Sequence, residues 1–341
     1  VDEVAALFPS RDLRVLQLAA GELHVLARFV QVPGVAVRWL HTDRSIQARG
    51  RPRGAQFVFT PITQANEGWR FCGRLLRDGD IRIVRPGEDL DEIYSTNSEG
   101  LSIVVNEDLL RRALASDVRG QGLGAVLGHP AFRPTAAAFR NFVLRLDRLS
   151  RLWMDNPGRL SQEELAARVR NGYVEEVAAV LQHDTRDSDL DRLNCVRQDV
   201  ARDAERIMDC HLNLSLTTVQ LCRELTISRR TLFYAFRDTF GMSPMAYYKI
   251  KRLNAVRREL KQADPVKTMV REVSRNWGFR HQGQFARDYT RQFGERPLET
   301  LVKRKLTGAA GGHGTASAGV APVQASRAGT APETTQPGGA G

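Results

Sequence analysis

Arg229, Arg230, Phe233, Tyr234 and Arg237 fall at offsets that gather them on one side of a helix. A second group, His281, Gln282, Gln284, Arg287 and Asp288, lies further along the chain. The chemistry open to such side chains is recognition. Arginine pairs with the acceptor edge of guanine, glutamine with adenine, and an aromatic ring can rest on the thymine methyl. A helix that merely faces water has no use for neighbouring Phe233 and Tyr234. We therefore expect Arg230, Phe233, Tyr234, His281, Gln282, Gln284 and Arg287 to contact base edges. Arg229, Arg237, Lys251 and Arg291 are expected to hold phosphates, which position a protein without reading sequence.

The elements that must present these groups occur twice. Leu232, Phe236, Phe240, Gly241 and Pro244 recur 53 residues later as Phe285, Tyr289, Phe293, Gly294 and Pro297, an internal duplication. In each copy the apolar residues repeat every four positions on one helical face, and the glycine and proline are stop signals. Ahead of the first copy, residues 217–225 read as a short helix, followed by Thr226, Ile227 and Ser228, the last a good N-cap. Ahead of the second, residues 269–277 read as a helix and Gly278-Phe279 as the turn. Small residues Cys222 and Ser274 occupy equivalent places where the paired helices must approach closely. The spacing predicts two helix-turn-helix units.

Charge is distributed to match. The chain carries 50 Lys and Arg against 39 Asp and Glu, a formal net charge of +11. Residues 211–306 hold 20 basic and 8 acidic residues, so the remainder is close to neutral. Clustered cations bind a polyanion by neutralising phosphates and releasing counterions. The segment joining the two copies adds Lys249, Lys251, Arg252, Arg257, Arg258 and Lys261 over an apolar stripe of Leu253, Val256 and Leu260.

At these residues the sequence resembles the AraC/XylS family of transcription regulators. The resemblance rests on Leu225-Thr226-Ile227-Ser228-Arg229-Arg230-Thr231-Leu232, on Phe240-Gly241-Met242-Ser243-Pro244, and on Trp277-Gly278-Phe279 through Phe293-Gly294-Glu295-Arg296-Pro297. It covers about 100 residues. Thr226 departs from the glycine common in the first turn, and Arg280 from the usual small N-cap in the second copy. The text from Trp277 to Leu301 looks like the subgroup containing the ethanolamine operon regulator. The resemblance implies double-stranded DNA and RNA polymerase as partners, a cupin-like amino-terminal barrel that senses an effector or dimerises, and a homodimer.

The amino-terminal half suits that shape. Between residues 13 and about 105, short β-branched or aromatic runs such as Val35–Leu40, Ala55–Phe59 and Ile81–Val84 alternate with Gly and Pro turns, as in a sandwich or barrel. Trp39, Phe57, Phe59, Trp69 and Phe71 are the aromatics that could line a small-molecule pocket. Arg38 and Arg82 sit on apparent strands, where they face either inward toward an anionic effector or outward into water, the outward placement being the one expected. His24 and His41 are too few for a metal site, and His41-Thr42-Asp43 is not the paired His-x-His such a barrel would need. Cys72, Cys195, Cys210 and Cys222 lack metal-binding spacing. No metal, cofactor or enzymatic activity is expected.

The fold class expected is α+β, with a cupin-like β-barrel or sandwich and flanking helices in front of an all-α region of two helix-turn-helix motifs joined by a long helix. The divisions predicted are a disordered lead at 1–12, a β-rich domain at 13–118, a helical hairpin at 119–183, a linker at 184–192, the DNA-binding region at 193–306 and a disordered tail at 307–341. The hairpin either forms a dimer interface or packs on the barrel. With no signal pattern and no apolar run of membrane-spanning length, the expected location is the cytoplasm. Two other classes stay open: a sequence-indifferent DNA-coating protein, and a barrel enzyme with secondary DNA binding.

Overall fold

The computed structural model describes residues 13–51, 54–66, 68–115, 127, 129–154, 163–182, 191–214 and 216–307. The expected lead, most of the glycine-rich loop at 120–128, the hairpin turn near 156–158, the linker residues 184–190 and the tail from 308 lie outside the described residues.

The amino-terminal part is a sandwich of two antiparallel sheets. Its strands are β1 (Arg14–Gln17), β2 (Val25–Val32), β3 (Val35–Thr42), β4 (Ile46–Gly50), β5 (Gln56–Pro61), β6 (Arg70–Phe71), β7 (Arg74–Leu75), β8 (Ile81–Val84), β9 (Leu90–Tyr94), β10 (Ser98–Asn106) and β11 (Ala131–Phe132). One sheet runs β1-β4-β9-β6-β7 and the other β11-β8-β5-β10-β3-β2. Strands β4, β9 and β10 were absent from the runs singled out in the sequence. Gln47, Arg49, Asp91 and Glu92 make the first two look polar, although Gln47 and Glu92 are buried.

The six-stranded sheet is covered on both faces. One face meets the other sheet through Val58, Val84, Val104, Trp69 and Phe71. The opposite face carries Val37, Phe57, Phe59, Ile81, Ile83 and Ile103. Against it pack three helices, α1 (Glu107–Ala115), α2 (Ala136–Met154) and α3 (Glu163–Leu181), through residues such as Leu110, Phe142, Leu146, Val169 and Val177. Burial on both faces explains why β8 reads Ile-Arg-Ile-Val with no exposed position. The apolar stripes of the predicted hairpin therefore cover the sheet.

Among the described residues, seven helices make the carboxy-terminal part: α4 (Asp191–Cys210), α5 (Thr218–Glu224), α6 (Arg229–Phe240), α7 (Pro244–Gln262), α8 (Val270–Asn276), α9 (Gln282–Phe293) and α10 (Pro297–Thr307). They build two small cores. Leu221, Leu232, Ala235, Phe236, Phe240 and Tyr247 close the first with Ala201, Ala204 and Met208 of α4. Leu253, Val256, Val273, Phe285, Tyr289, Phe293 and Leu301 close the second. Helix α7 serves both, as its apolar stripe requires. No described helix is long and apolar enough to cross a membrane.

Candidate nucleic-acid interface

Each helix-turn-helix is fixed by its own turn. Helix α5 starts at a capping box in which Thr217 and Gln220 exchange hydrogen bonds. The Ile227 N–H closes the first turn on the Cys222 carbonyl at 3.0 Å, and the Phe279 N–H closes the second on the Ser274 carbonyl at 2.9 Å. These pairs stand 52 residues apart, while the apolar helix positions repeat at 53. The second copy thus carries one extra residue between turn and recognition helix. That residue moves the cap from the expected Arg280 to His281, whose side chain makes no capping bond. Ser228, by contrast, accepts from the Thr231 N–H at 3.0 Å. Thr226 and Gly278 occupy the same left-handed place, with φ of 55° and 74°. Threonine takes that conformation at a cost of about 1–2 kcal/mol that glycine avoids.

Once Leu232, Phe236 and Phe240 are buried, the opposite face of α6 must point outward. Arg229, Arg230, Phe233, Tyr234 and Arg237 are all exposed there. Phe233 and Tyr234 meet edge to face with centroids 6.1 Å apart. The Arg230 guanidinium lies 5.2 Å from the Tyr234 ring centre and that of Arg197 lies 5.9 Å from it. Arg197, on α4, had no place in the sequence reading. Its ion pair with Asp238 at 2.5 Å crosses between helices distant in sequence, so no local pattern marks it. The result is an exposed aromatic and cationic surface whose members contact one another.

On α9, Gln284 and Arg287 are exposed and joined by a 2.9 Å hydrogen bond, and His281 is exposed at the helix start. Three expectations need correction. Gln282 is committed to the turn: its Oε1 accepts from the Ser274 hydroxyl at 2.9 Å and its Nε2 donates to the Phe279 carbonyl at 3.1 Å. Asp288 does not face out but is buried between Lys249 and Arg291, which hold its carboxyl below the usual range against the opposing effect of burial. Lys251 does not stand free as a phosphate anchor, because its largely covered ammonium is engaged in ion pairs with Glu205 at 2.7 Å and Asp209 at 2.6 Å. A signal was available, since Lys251 lies four residues after buried Tyr247 and four before buried Ala255, on the inward stripe of α7. Arg291 is exposed beside its Asp288 partner.

The expected effector aromatics do not converge. Phe57 and Phe59 face the helices, while Trp69 and Phe71 lie between the sheets. Trp39 lines a surface cleft with Arg28, Glu99 and Leu101, and its Nε1 donates to Glu99 at 2.6 Å. Arg38 and Arg82 are not outward: Arg82 is 1% exposed and paired with Glu92, and Arg38 borders the same interior. His24 bonds Asp43 at the surface. Among the described residues no group of three or more His, Cys, Asp or Glu could hold a metal ion, and Cys72, Cys210 and Cys222 are free thiols.

The two recognition helices are tied to the sandwich at their carboxy-terminal ends. Arg70 Nε donates to the Asp238 carbonyl of α6 at 2.8 Å. The Gly21 N–H donates to the Arg291 carbonyl of α9 at 3.0 Å. Behind this, Asn254 of α7 exchanges two bonds with the Gln17 backbone, and the Gln292 amide donates toward the carbonyls of Gln17, Leu18 and Ala19.

Comparison with known proteins finds a family match in this same region and partial likenesses to several regulators. A family described as a helix-turn-helix domain matches residues 221–303. The "Probable thc operon regulatory protein" of Rhodococcus erythropolis is 36% identical over 102 residues, 30% of this chain and 31% of that protein. The "XylDLEGF operon transcriptional activator 3" of Pseudomonas putida is 30% identical over 101 residues, 30% of each chain. A solved "probable AraC family transcriptional regulator" from Rhodopseudomonas palustris is 34% identical, with 31% of this chain and 97% of that one covered, at a TM-score of 0.29. The chain thus spans about a third of the length of these two curated relatives.

Proposed function

We propose that the protein is a sequence-specific DNA-binding transcriptional regulator of the AraC/XylS type. The observation that carries this reading is the pair of exposed recognition faces, one on α6 and one on α9, presented by duplicated turns within the region matched as a helix-turn-helix domain. Arg230, Phe233, Tyr234, His281, Gln284 and Arg287 read bases, and Arg229, Arg237 and Arg291 hold phosphates. The two helices enter successive major-groove segments on one side of the duplex, with α7 setting their separation. The concentration of basic charge in residues 211–306 supplies the salt-dependent part of affinity.

The sandwich in this reading responds to a small-molecule effector, and its grip on the ends of α6 and α9 is the route by which occupancy alters DNA binding. Dimerisation, contact with RNA polymerase and kinship with the subgroup of the ethanolamine operon regulator extend the family resemblance. The test is equilibrium binding at fixed salt to a selected site and to the same bases scrambled. Specific recognition predicts a ratio of at least about a thousand. A ratio near one contradicts it.

A further inference from the structure

One row of polar side chains crosses the otherwise apolar interior of the sandwich. Arg38 on β3 pairs in register with Ser102 on β10, and Thr60 on β5 with Arg82 on β8. The Thr60 and Ser102 hydroxyls, 2.7 Å apart, join the two pairs into a belt across four strands. Val58, Val84 and Val104 surround it.

The belt is incompletely answered from the facing sheet. Glu92, fully buried, lies 3.2 Å from Arg82 Nε and also accepts from the Trp69 indole and the Tyr94 hydroxyl, each at 2.9 Å. Arg82 Nη2 donates to Thr60 at 2.5 Å. Arg82 Nη1 is buried with no acceptor, although buried donors are normally satisfied. Arg82 also lines a cavity of about 30 Å³ whose walls include Arg38, Tyr94, Ser102, Leu40 and Leu90. Burial draws the Arg38 guanidinium below its ordinary value, and nearby Tyr94 works in the other direction. Two guanidinium groups thus border a small, largely apolar space, while Glu92 already accepts from Trp69 and Tyr94 and is ion-paired with Arg82.

A volume of this size holds roughly two or three waters, enough for a carboxylate with a carbon or two and too little for a ring. We propose that this cavity is the site of a short-chain carboxylate, whose oxygens take the Arg82 Nη1–H and the Arg38 guanidinium while its carbons lie against Leu40 and Leu90. The proposal rests on the reading of the sandwich as an effector domain and gives that effector a charge, a size and a seat.

The test is calorimetric titration of the full chain with formate, acetate and propionate, against acetamide, chloride and benzoate at equal ionic strength. The expected result is one acetate per chain, with no response to acetamide, chloride or benzoate, and a loss of at least tenfold in affinity in Arg38→Met. Arg82 is changed together with its partner, as Arg82→Met with Glu92→Gln, so that no buried charge is left alone; that variant is expected to lose acetate as well. No binding of any carboxylate, an equal response to acetamide or chloride, or unaltered acetate binding in Arg38→Met overturns the proposal. DNA binding is measured on the same samples. Specific DNA recognition without acetate binding removes this site and leaves the regulator standing, whereas acetate binding without DNA specificity does the reverse.

Discussion

In the proposed reading, Arg287 and Arg237 separate base reading from anchoring. Arg287→Ala is expected to cost about 1–3 kcal/mol on the selected site and to relax preference at one base position, while affinity for scrambled DNA changes little. Arg237→Ala should weaken both DNAs alike and lower the slope of log affinity against log salt by about 1. Equal losses on both DNAs for Arg287→Ala would remove its assigned role. Thr226 offers a test of the turn alone. Because its left-handed backbone is held by the Ile227 and Phe279 type of closure seen in both copies, Thr226→Gly should leave the fold intact. Relief of about 1–2 kcal/mol of strain, less about 0.4–1 kcal/mol of added unfolded-state entropy, predicts a small gain in stability by denaturant titration. A clear loss would show that the threonine side chain has another function. At this scale the sequence was most legible where a residue's role is local. The exposed aromatics, the glycine stops and the departure at Thr226 all depend on near neighbours. Lys251, Gln282 and Asp288 were misread because charge and polarity suggest solvent, whereas partners on other segments bury or occupy them.

Among the elements, β1 and its continuation determine how the second recognition helix is held. Its partners Asn254 and Gln292 lie 237 and 275 residues away, a separation no sequence periodicity can express. Gln292→Ala, which removes the amide bridging α9 to three carbonyls of the sandwich, should destabilise the protein by about 1–3 kcal/mol. It should also weaken binding to a two-part site more than to a single half. Equal weakening on both would separate the strand from the positioning of α9. A second joint centres on Glu205 of α4, which meets Arg49 of β4 at 2.6 Å, Lys251 of α7 at 2.7 Å and the Tyr247 hydroxyl at 2.5 Å. Burial alone would raise its carboxyl, but the two cations hold it below the ordinary value. The folded state therefore keeps this group ionised at pH values where the unfolded chain takes up a proton. Its stabilising contribution is present above about pH 4.5 and is lost as pH falls further through the lowered folded value. Glu205→Gln should thus be less stable than the parent at pH 7, with the difference shrinking below about pH 4.5. A difference that stays constant down to pH 3 would contradict the ion-pair origin. The helices and strands β3, β5 and β8 of the six-stranded sheet followed from apolar spacing, but β4 and β9 did not, because polar side chains such as Gln47 and Glu92 are buried on partners distant in sequence.

Taken as a whole, the molecule places a two-sheet sandwich, covered on one face by α1 to α3, against a pair of helix-turn-helix units that share α7. The sandwich touches the carboxy-terminal ends of both α6 and α9 through Arg70 and Gly21, contacts that span 168 and 270 residues of the chain. This arrangement carries the claim that the protein reads one two-part DNA site. The direct measurement is selection of bound sequences from a random duplex pool at fixed salt, with the full chain and with residues 193–306 alone. The expected outcome is one motif in two parts about one helical turn apart, with spacing stricter for the full chain than for the fragment. A pool that stays random, or a single uninterrupted half-site selected by both proteins, would contradict it.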